Sequence, residues 1–403
     1  MPYPTTNFKD SFGTDLGNKL ITKEYLMTVY PQISANMITP ELWTWGLNTY
    51  GQLGDNTTTQ RLTPVTTLAG GANWKQVACG GNHIAAIKTD GTLWTWGRGN
   101  SGELGTNTTV DIITPVQVFG SETNWKQVSC GYYITAAIKT DGTLWTWGQN
   151  IVGTLGINDT NIRCTPVQVF GSANNWKQVA CGGFFTAAIK TDGTLWTWGS
   201  NSEGQLGVND TTQRNTPVTT FAGGTNWKQV SGGRNHTAAI KTDGTLWGWG
   251  RGISGELGTN TTVNRSTPVT TFAGGTNWKQ VSGGRLITAA IKTDGTLWTW
   301  GSNSAGQLGD NTSTARSTPG ITFTGGTNWK QVACGGLGHT AAIKTDGTLW
   351  TWGLNSYGRL GDNTTTNRSI PVTTFAGGTN WKQVACGDSH TAAIKTSDDL
   401  LGI

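Results

Sequence analysis

Four histidines, His83, His236, His339 and His390, are the side chains best suited to proton transfer or metal binding near neutral pH, and all four occupy one slot of a tandem repeat. Other copies carry Ile134, Phe185 and Ile287 in that slot, so the repeat does not depend on imidazole chemistry. Metal ligation would need the rings within roughly 3–4 Å of one another, given nitrogen–metal bonds of about 2.0–2.1 Å. Units packed side by side hold them further apart, so they read as structural histidines bonding to backbone, with no metal site. Five of the six cysteines, Cys79, Cys130, Cys181, Cys334 and Cys386, share a second slot. Packed sheets stand about 10 Å apart, whereas a disulfide needs Cα atoms at about 4.4–6.8 Å. Small buried thiols in a reducing compartment are expected, and Cys164, outside the slot, reads as a loop thiol. No Ser-His-Asp or Cys-His arrangement departs from the repeat, so neither catalytic residues nor a cofactor are expected.

Two further patterns carry charge. Lys75 and Lys88, with their counterparts, supply 14 lysines, against six aspartates in Asp-Gly turns. The reading is a solvated face with local Lys–Asp pairing, phosphate binding being the alternative. Asp55-Asn56-Thr57, Asn107-Thr108-Thr109 and their equivalents resemble calcium loops or glycosylation acceptors, but short Asn, Asp and Thr side chains also satisfy turn backbone.

These slots are positioned by seven near-identical units running from Leu42 to Thr396. Leu-Trp-x-Trp-Gly begins at Leu42, Leu93, Leu144, Leu195, Leu246, Leu297 and Leu349, a spacing of 51 residues and then 52. Asn-Trp-Lys-Gln-Val keeps the same rhythm. Repeats of this length, rich in short strands and Gly turns, mark an array of β units. Within one unit Trp74 to Gly80, Ile84 to Thr89, Thr92 to Gly97 and Thr114 to Phe119 read as strands. Asp90-Gly91 is a two-residue hairpin turn, and Pro115 stands near the start of the last strand, where no ladder donor is lost.

The fold expected is therefore all-β: a seven-bladed β-propeller of four-stranded antiparallel blades over residues 42–403, preceded by an arm at residues 1–41. The chain enters the repeat halfway through a unit and leaves it halfway through another. The seventh blade then forms only if strands from both termini pair, which removes open sheet edges. All 21 tryptophans belong to the repeat. Each can bury on the order of 150–250 Å², so they read as wedges between blades.

Composition agrees: 13% of residues are charged and 59 are glycine, and the net charge of +5 is small for the length, making nucleic acid an unlikely partner on charge alone. No signal peptide or stretch of apolar residues long enough to span a membrane is visible, so neither membrane insertion nor secretion is expected.

The copies differ mainly on one face. A meander reverses direction at every strand, so the first and third loops of each blade open together. The opposite face, with its Asp-Gly turns, is nearly invariant. The variable face carries Tyr132, Tyr133, Phe184, Phe185, Arg234 and Arg285 in inner loops, and Tyr50, Arg98, Arg251, Tyr357 and Arg359 in outer loops. Aromatics beside arginines are hot-spot chemistry, and this group is the candidate partner face. The bland alternative is that Phe185 replaces the blade histidine in the core and that Tyr132 and Phe184 are loop drift.

Leu-Trp-Thr-Trp-Gly, followed by a loop such as Leu47 to Gly54 and then Gly-Gly-x-His-Thr-Ala-Ala, resembles the regulator of chromosome condensation repeat. The resemblance implies a seven-bladed propeller and leaves activity open. Relatives of that type include an exchange factor for a small GTPase, a plant ultraviolet-B photoreceptor and a β-lactamase inhibitor. The photoreceptor's Gly-Trp-Arg-His-Thr stretch is replaced here by Gly233-Arg234-Asn235-His236-Thr237 and Gly387-Asp388-Ser389-His390-Thr391, which argues against photoreception.

In the arm, Thr22 can cap a short helix over 23–30, ended by Pro31, with Tyr25, Leu26, Val29 and Tyr30 on an apolar side. Such a helix is too short to stand alone and is expected to dock on the propeller or on a larger assembly, in the second case as an anchor. Gly13-Thr14-Asp15-Leu16-Gly17, Tyr25-Leu26 and Tyr30-Pro31 are similar to leader segments of bacteriophage virion proteins. The resulting expectation is a binding or scaffold propeller acting as a virion surface or host-adsorption module, with protein or cell-surface glycan as partner and the virion as location. The alternatives are a cytoplasmic regulator of a small GTPase or chromatin, or a multivalent lectin.

Overall fold

The computed structural model describes residues 39–68 and 72–396. The expected helix at 23–30, with Tyr25, Leu26, Val29 and Tyr30, lies outside the described residues. Alternating apolar and polar positions between Gly turns give 28 strands among the described residues, in seven four-stranded antiparallel sheets. Blade I is β3 (Trp74–Cys79), β4 (His83–Lys88), β5 (Leu93–Gly97) and β6 (Ile112–Gln117), in that order from the axis outward. Blades II to VI repeat it. Blade VII joins β27 (Trp381–Cys386) and β28 (His390–Thr396) to β1 (Pro40–Gly46) and β2 (Arg61–Thr66). β1 and β28 pair in unbroken register from Pro40 opposite Thr396 to Gly46 opposite His390. The closure expected from the half-units is therefore present.

Two local features differ from expectation. Pro115 lies inside β6 instead of at its start, because the β5–β6 register slips between Thr95 and Gly97. At such an irregularity the missing N–H costs no ladder bond. The innermost pair of every blade also carries a bulge, as between Trp74 and Gln76, where Lys75 has no cross-strand partner. Such a bulge re-aims a side chain, and the lysine in this slot is exposed in all seven blades.

The tryptophans divide into two sets. The Asn-Trp-Lys-Gln tryptophan and the second one of Leu-Trp-x-Trp-Gly are buried between blades, whereas the first, such as Trp94, is half-buried. The buried pair meets nearly edge-on, at 6.0 Å for Trp125 and Trp147, a geometry favoured by the ring quadrupoles. Lys88 lies over both Trp74 and Trp94, at 5.2 and 4.6 Å from their centroids. Its equivalents in the other blades do the same. These seven lysines thus cover tryptophan instead of forming an open basic face.

Blades are stitched by polar groups as well. The Gln76 side chain donates to the Val128 carbonyl at 3.2 Å and accepts the Val128 N–H at 3.0 Å, and the same bond pair recurs around the ring. The histidines, expected on backbone, instead reach a threonine hydroxyl of the next blade: His83 to Thr135 and His236 to Thr288, both at 2.9 Å, and His339 to Thr391 at 3.0 Å. Around the axis the blades converge more closely than stacked sheets do. The Cys130 thiol lies 3.7 Å from the Ala78 carbonyl of the preceding blade, and all six cysteines are free thiols. Burial holds the Cys181 and Cys334 thiols up at about 12, which keeps them protonated and unreactive.

Candidate recognition face around the axis

The loops joining β3 to β4 and their equivalents surround one end of the axis. Glycines precede each slot residue because nothing larger fits: a Cβ at Gly182 would lie 2.0 Å from the Phe185 ring. In blades II and III the residue before the slot, Tyr133 or Phe184, is half-buried at the face. Tyr132 and Tyr133 from blade II meet Phe184 from blade III, with centroids 4.4 Å apart for the tyrosines and 5.7 and 6.1 Å from Phe184. Two arginines flank this cluster. Arg98 lies 4.3 Å from the Tyr133 ring and 5.9 Å from Tyr50, and Arg234 lies 5.3 Å from Tyr132. All these side chains are half-buried, with one side towards solvent.

Asp388, from blade VII, sits at the centre of this mouth. It faces Tyr132, Arg234, Arg285 and Arg359. Burial nonetheless dominates, pushing its carboxyl up to about 6, with the arginines and Tyr132 pulling the other way. Together Tyr132, Arg234, Arg285 and Asp388 cap an axial cavity of about 90 Å³ whose wall is the cysteine collar and the loop glycines. Two more acids lie buried beneath arginines. Glu103 is held up at about 7 by burial, with Arg98 at 3.9 Å and the Ser101 N–H at 2.7 Å. Glu256 is raised for the same reason and pairs with Arg251 at 3.1 Å. Asp388, Glu103 and Glu256 are thus hidden, while Arg98, Arg234 and Arg285 are half-buried.

Most of the sequence candidates converge here, with three exceptions. Phe185 is completely buried in the blade III core and takes the histidine slot, so it belongs to packing and not to the face. Arg359 is 1% exposed: its guanidinium donates to the Asp388 carbonyl at 3.3 Å beneath Tyr357, and burial lowers it to about 10. It supports the mouth from below. Arg251 pairs with Glu256 as Arg98 pairs with Glu103, but Arg98 also lies over Tyr133 of the cluster. Asp388 belongs to the variable inner loops in sequence but is not among the candidate site residues; only the structure brings it opposite residues of blades II, IV and V. In the outer loops, the Asp55 carboxylate is taken up by Arg61 at 2.7 Å and by Thr57, and Asn56 and its equivalents hold the turn at φ near +60°. All 21 tryptophans lie in strands, and none reaches the mouth. Among the described residues no helix is long and apolar enough to cross a membrane.

The geometry has close parallels. Among curated proteins the chain is similar to the ultraviolet-B receptor UVR8 of Arabidopsis thaliana, 34% identical over 286 residues, covering 70% of this chain and 65% of the receptor. It is 29% identical to human E3 ubiquitin-protein ligase HERC2 over 378 residues, or 91% of this chain and 8% of the ligase. The chain therefore spans just under two thirds of the first protein and a small part of the second. Human WBSCR16 superposes with a TM-score of 0.76 at 21% identity, covering 88% of this chain and 98% of that one. Prp20p of Saccharomyces cerevisiae gives 0.78 at 19% identity, covering 89% and 92%. At such identities the likeness is one of fold. The family model described as RCC1-like domain matches residues 33–223 and 177–403, and the chain belongs to that family.

Proposed function

We propose that this chain is a non-enzymatic propeller that recognises a protein partner through the face around Tyr132, Tyr133, Phe184, Arg98 and Arg234, and that it acts as a binding or regulatory module. The carrying observation is the aromatic cluster at the axial mouth, held between Arg98 and Arg234 while Asp388, Glu103 and Glu256 are buried. Aromatic and arginine side chains fixed at low entropy cost, in otherwise repetitive surroundings, are what a specific protein interface concentrates. Exposed positive charge suits an acidic segment of the partner.

The relatives favour the cellular regulator over a virion adsorption module or a lectin. Prp20p is described with its binding to Gsp1p and histones, and yeast RCC1 (Prp20) with Kap60; those partners belong to those proteins. β1 takes Pro40 and Glu41 into blade VII, and for residues 1–38, which lie outside the described residues, the reading kept is a tether. The test is capture from source lysate by the full chain and by Tyr132→Ala/Phe184→Ala. A partner held by this face should lose about thirtyfold in affinity, the scale of a hot-spot pair. Equal capture by both proteins would move recognition elsewhere.

A further inference from the structure

The opposite face has a different chemistry. There β6 ends, and residues 120–124 cross from the outer edge of blade I to the innermost strand of blade II, bonded to the Asp-Gly turn through Trp125 N–H and the Gly91 carbonyl at 3.0 Å. At the outer end of this crossing each blade exposes one large apolar residue. Phe119, Phe170, Phe221, Phe272, Phe323 and Phe375 are between 55% and 68% exposed. Leu68 takes the place in the remaining blade, at 65%.

At the inner end stand the bulge lysines. Lys75, Lys330 and Lys382, from three consecutive blades, line one open cavity of about 450 Å³ together with the stitching glutamines. Lys75 is four residues before Cys79 on the same strand, about 13 Å along it, so this is the end of the axis away from the Asp388 mouth. None of the seven bulge lysines forms an ion pair among the described residues. The turn aspartates lie by the other lysine set: Asp90 is next to Lys88 and takes a 2.7 Å bond from Thr92. Between the two rings, the half-buried Trp94 and its equivalents carry those lysines on their rings.

We infer that this face docks peripherally on an anionic lipid bilayer, the phenylalanines entering the headgroup boundary and the lysines meeting acidic headgroups. Aromatic and aliphatic tips beside lysines are the composition that binds such an interface. Repetition decides between occupants. Seven bulge lysines with six phenylalanines and one leucine on a single face fit a laterally uniform surface, whereas an asymmetric protein partner would reward a face whose blades differ, as they do at the other end. A second copy of this chain face to face would set lysine ring against lysine ring.

The test is co-flotation of the full chain with vesicles of phosphatidylcholine alone and of phosphatidylcholine with phosphatidylserine. Binding is expected to the second only and to fall with salt. Lys228→Ala and Lys279→Ala should each weaken it about fivefold, and Phe221→Ser/Phe272→Ser several-fold. These exposed substitutions should leave the melting temperature unchanged. Tyr132→Ala/Phe184→Ala, on the other face, should leave flotation intact, which separates this inference from the protein-recognition reading. No flotation with either vesicle would overturn it. So would flotation insensitive to the phenylalanine pair and abolished by soluble polyphosphate, which would mark a compact polyanion site instead.

Discussion

The Gln383 side chain donates to the Val77 carbonyl at 3.1 Å and accepts the Val77 N–H at 3.0 Å, joining residues 306 positions apart. With the pair from Gln331 to Val384, it completes a ring of side-chain bridges that imitates strand pairing where backbones of adjacent blades cannot reach each other. The velcro of β1 on β28 closes a blade; the glutamine ring closes the propeller.

Removing one bridge leaves a half-buried N–H and C=O without partners. Gln383→Leu should therefore destabilise by about 1–3 kcal/mol, read as a lower denaturant midpoint. Gln178→Leu, in the middle of the chain, should cost a similar amount, because both remove the same two bonds. A near-zero cost for either would mean that water replaces the bridge.

His390 is the one histidine whose clip is missing. Its Nε2 has no hydrogen-bond partner, the His83 backbone approaching the ring without bonding geometry. Where Thr135 receives His83, blade I presents Ile84 to His390. A threonine there would also find the Gln52 carbonyl, as Thr135 finds that of Glu103 at 2.7 Å. Ile84→Thr should consequently be about 1 kcal/mol more stable than the near-isosteric Ile84→Val, measured by equilibrium unfolding. The reverse order would show that His390 gains nothing from a hydroxyl.

Burial lowers the buried histidines below their ordinary 6.5, to about 3 for His83 and about 4 for His236, with Arg251 adding to the effect at His236. A depressed histidine is neutral in the fold and protonated once unfolded, so its stability contribution is complete above pH 6.5 and is lost as pH falls towards 4. His236→Phe copies the Phe185 solution of blade III. It should flatten the acid side of the stability profile by up to about 3 kcal/mol between those limits, whatever it costs at neutral pH. Parallel profiles for the two proteins would contradict the assignment.

Asp388 works in the opposite sense. Its carboxyl is raised from 3.8 to about 6, so the charged form is penalised in the fold. The penalty is full above pH 6 and absent below the unfolded value of 3.8. Asp388→Asn should accordingly raise stability at pH 8, by at most about 3 kcal/mol, with the advantage gone by pH 4. Thermal melts across that range decide it; a destabilised variant at pH 8 would show that the attraction of the neighbouring arginines outweighs burial.

Much of this was legible from residues alone. Spacing of Leu-Trp-x-Trp-Gly gave the blade, the Asp-Gly turn its hairpin, and the split unit the pairing of β1 with β28, because these depend on periods and turn chemistry that neighbouring residues dictate. The face of Tyr132, Tyr133 and Phe184 was visible as departures from the repeat. Its membership was not: Phe185 and Arg359 share the face in sequence but are buried, since whether a loop residue points out or under its neighbour depends on the packing beneath it.

What only the tertiary structure decided are the contacts between blades. Periodicity assigns each residue a place in its own unit and says nothing about which slot of the next unit it touches. That depends on the tilt and separation of blades once the ring closes. Gln76 on Val128, His83 on Thr135, Lys88 across two tryptophans and Asp388 opposite Tyr132 all arise there, because side chains of a few ångströms' reach find partners only after seven blades have fixed the radius of the axis.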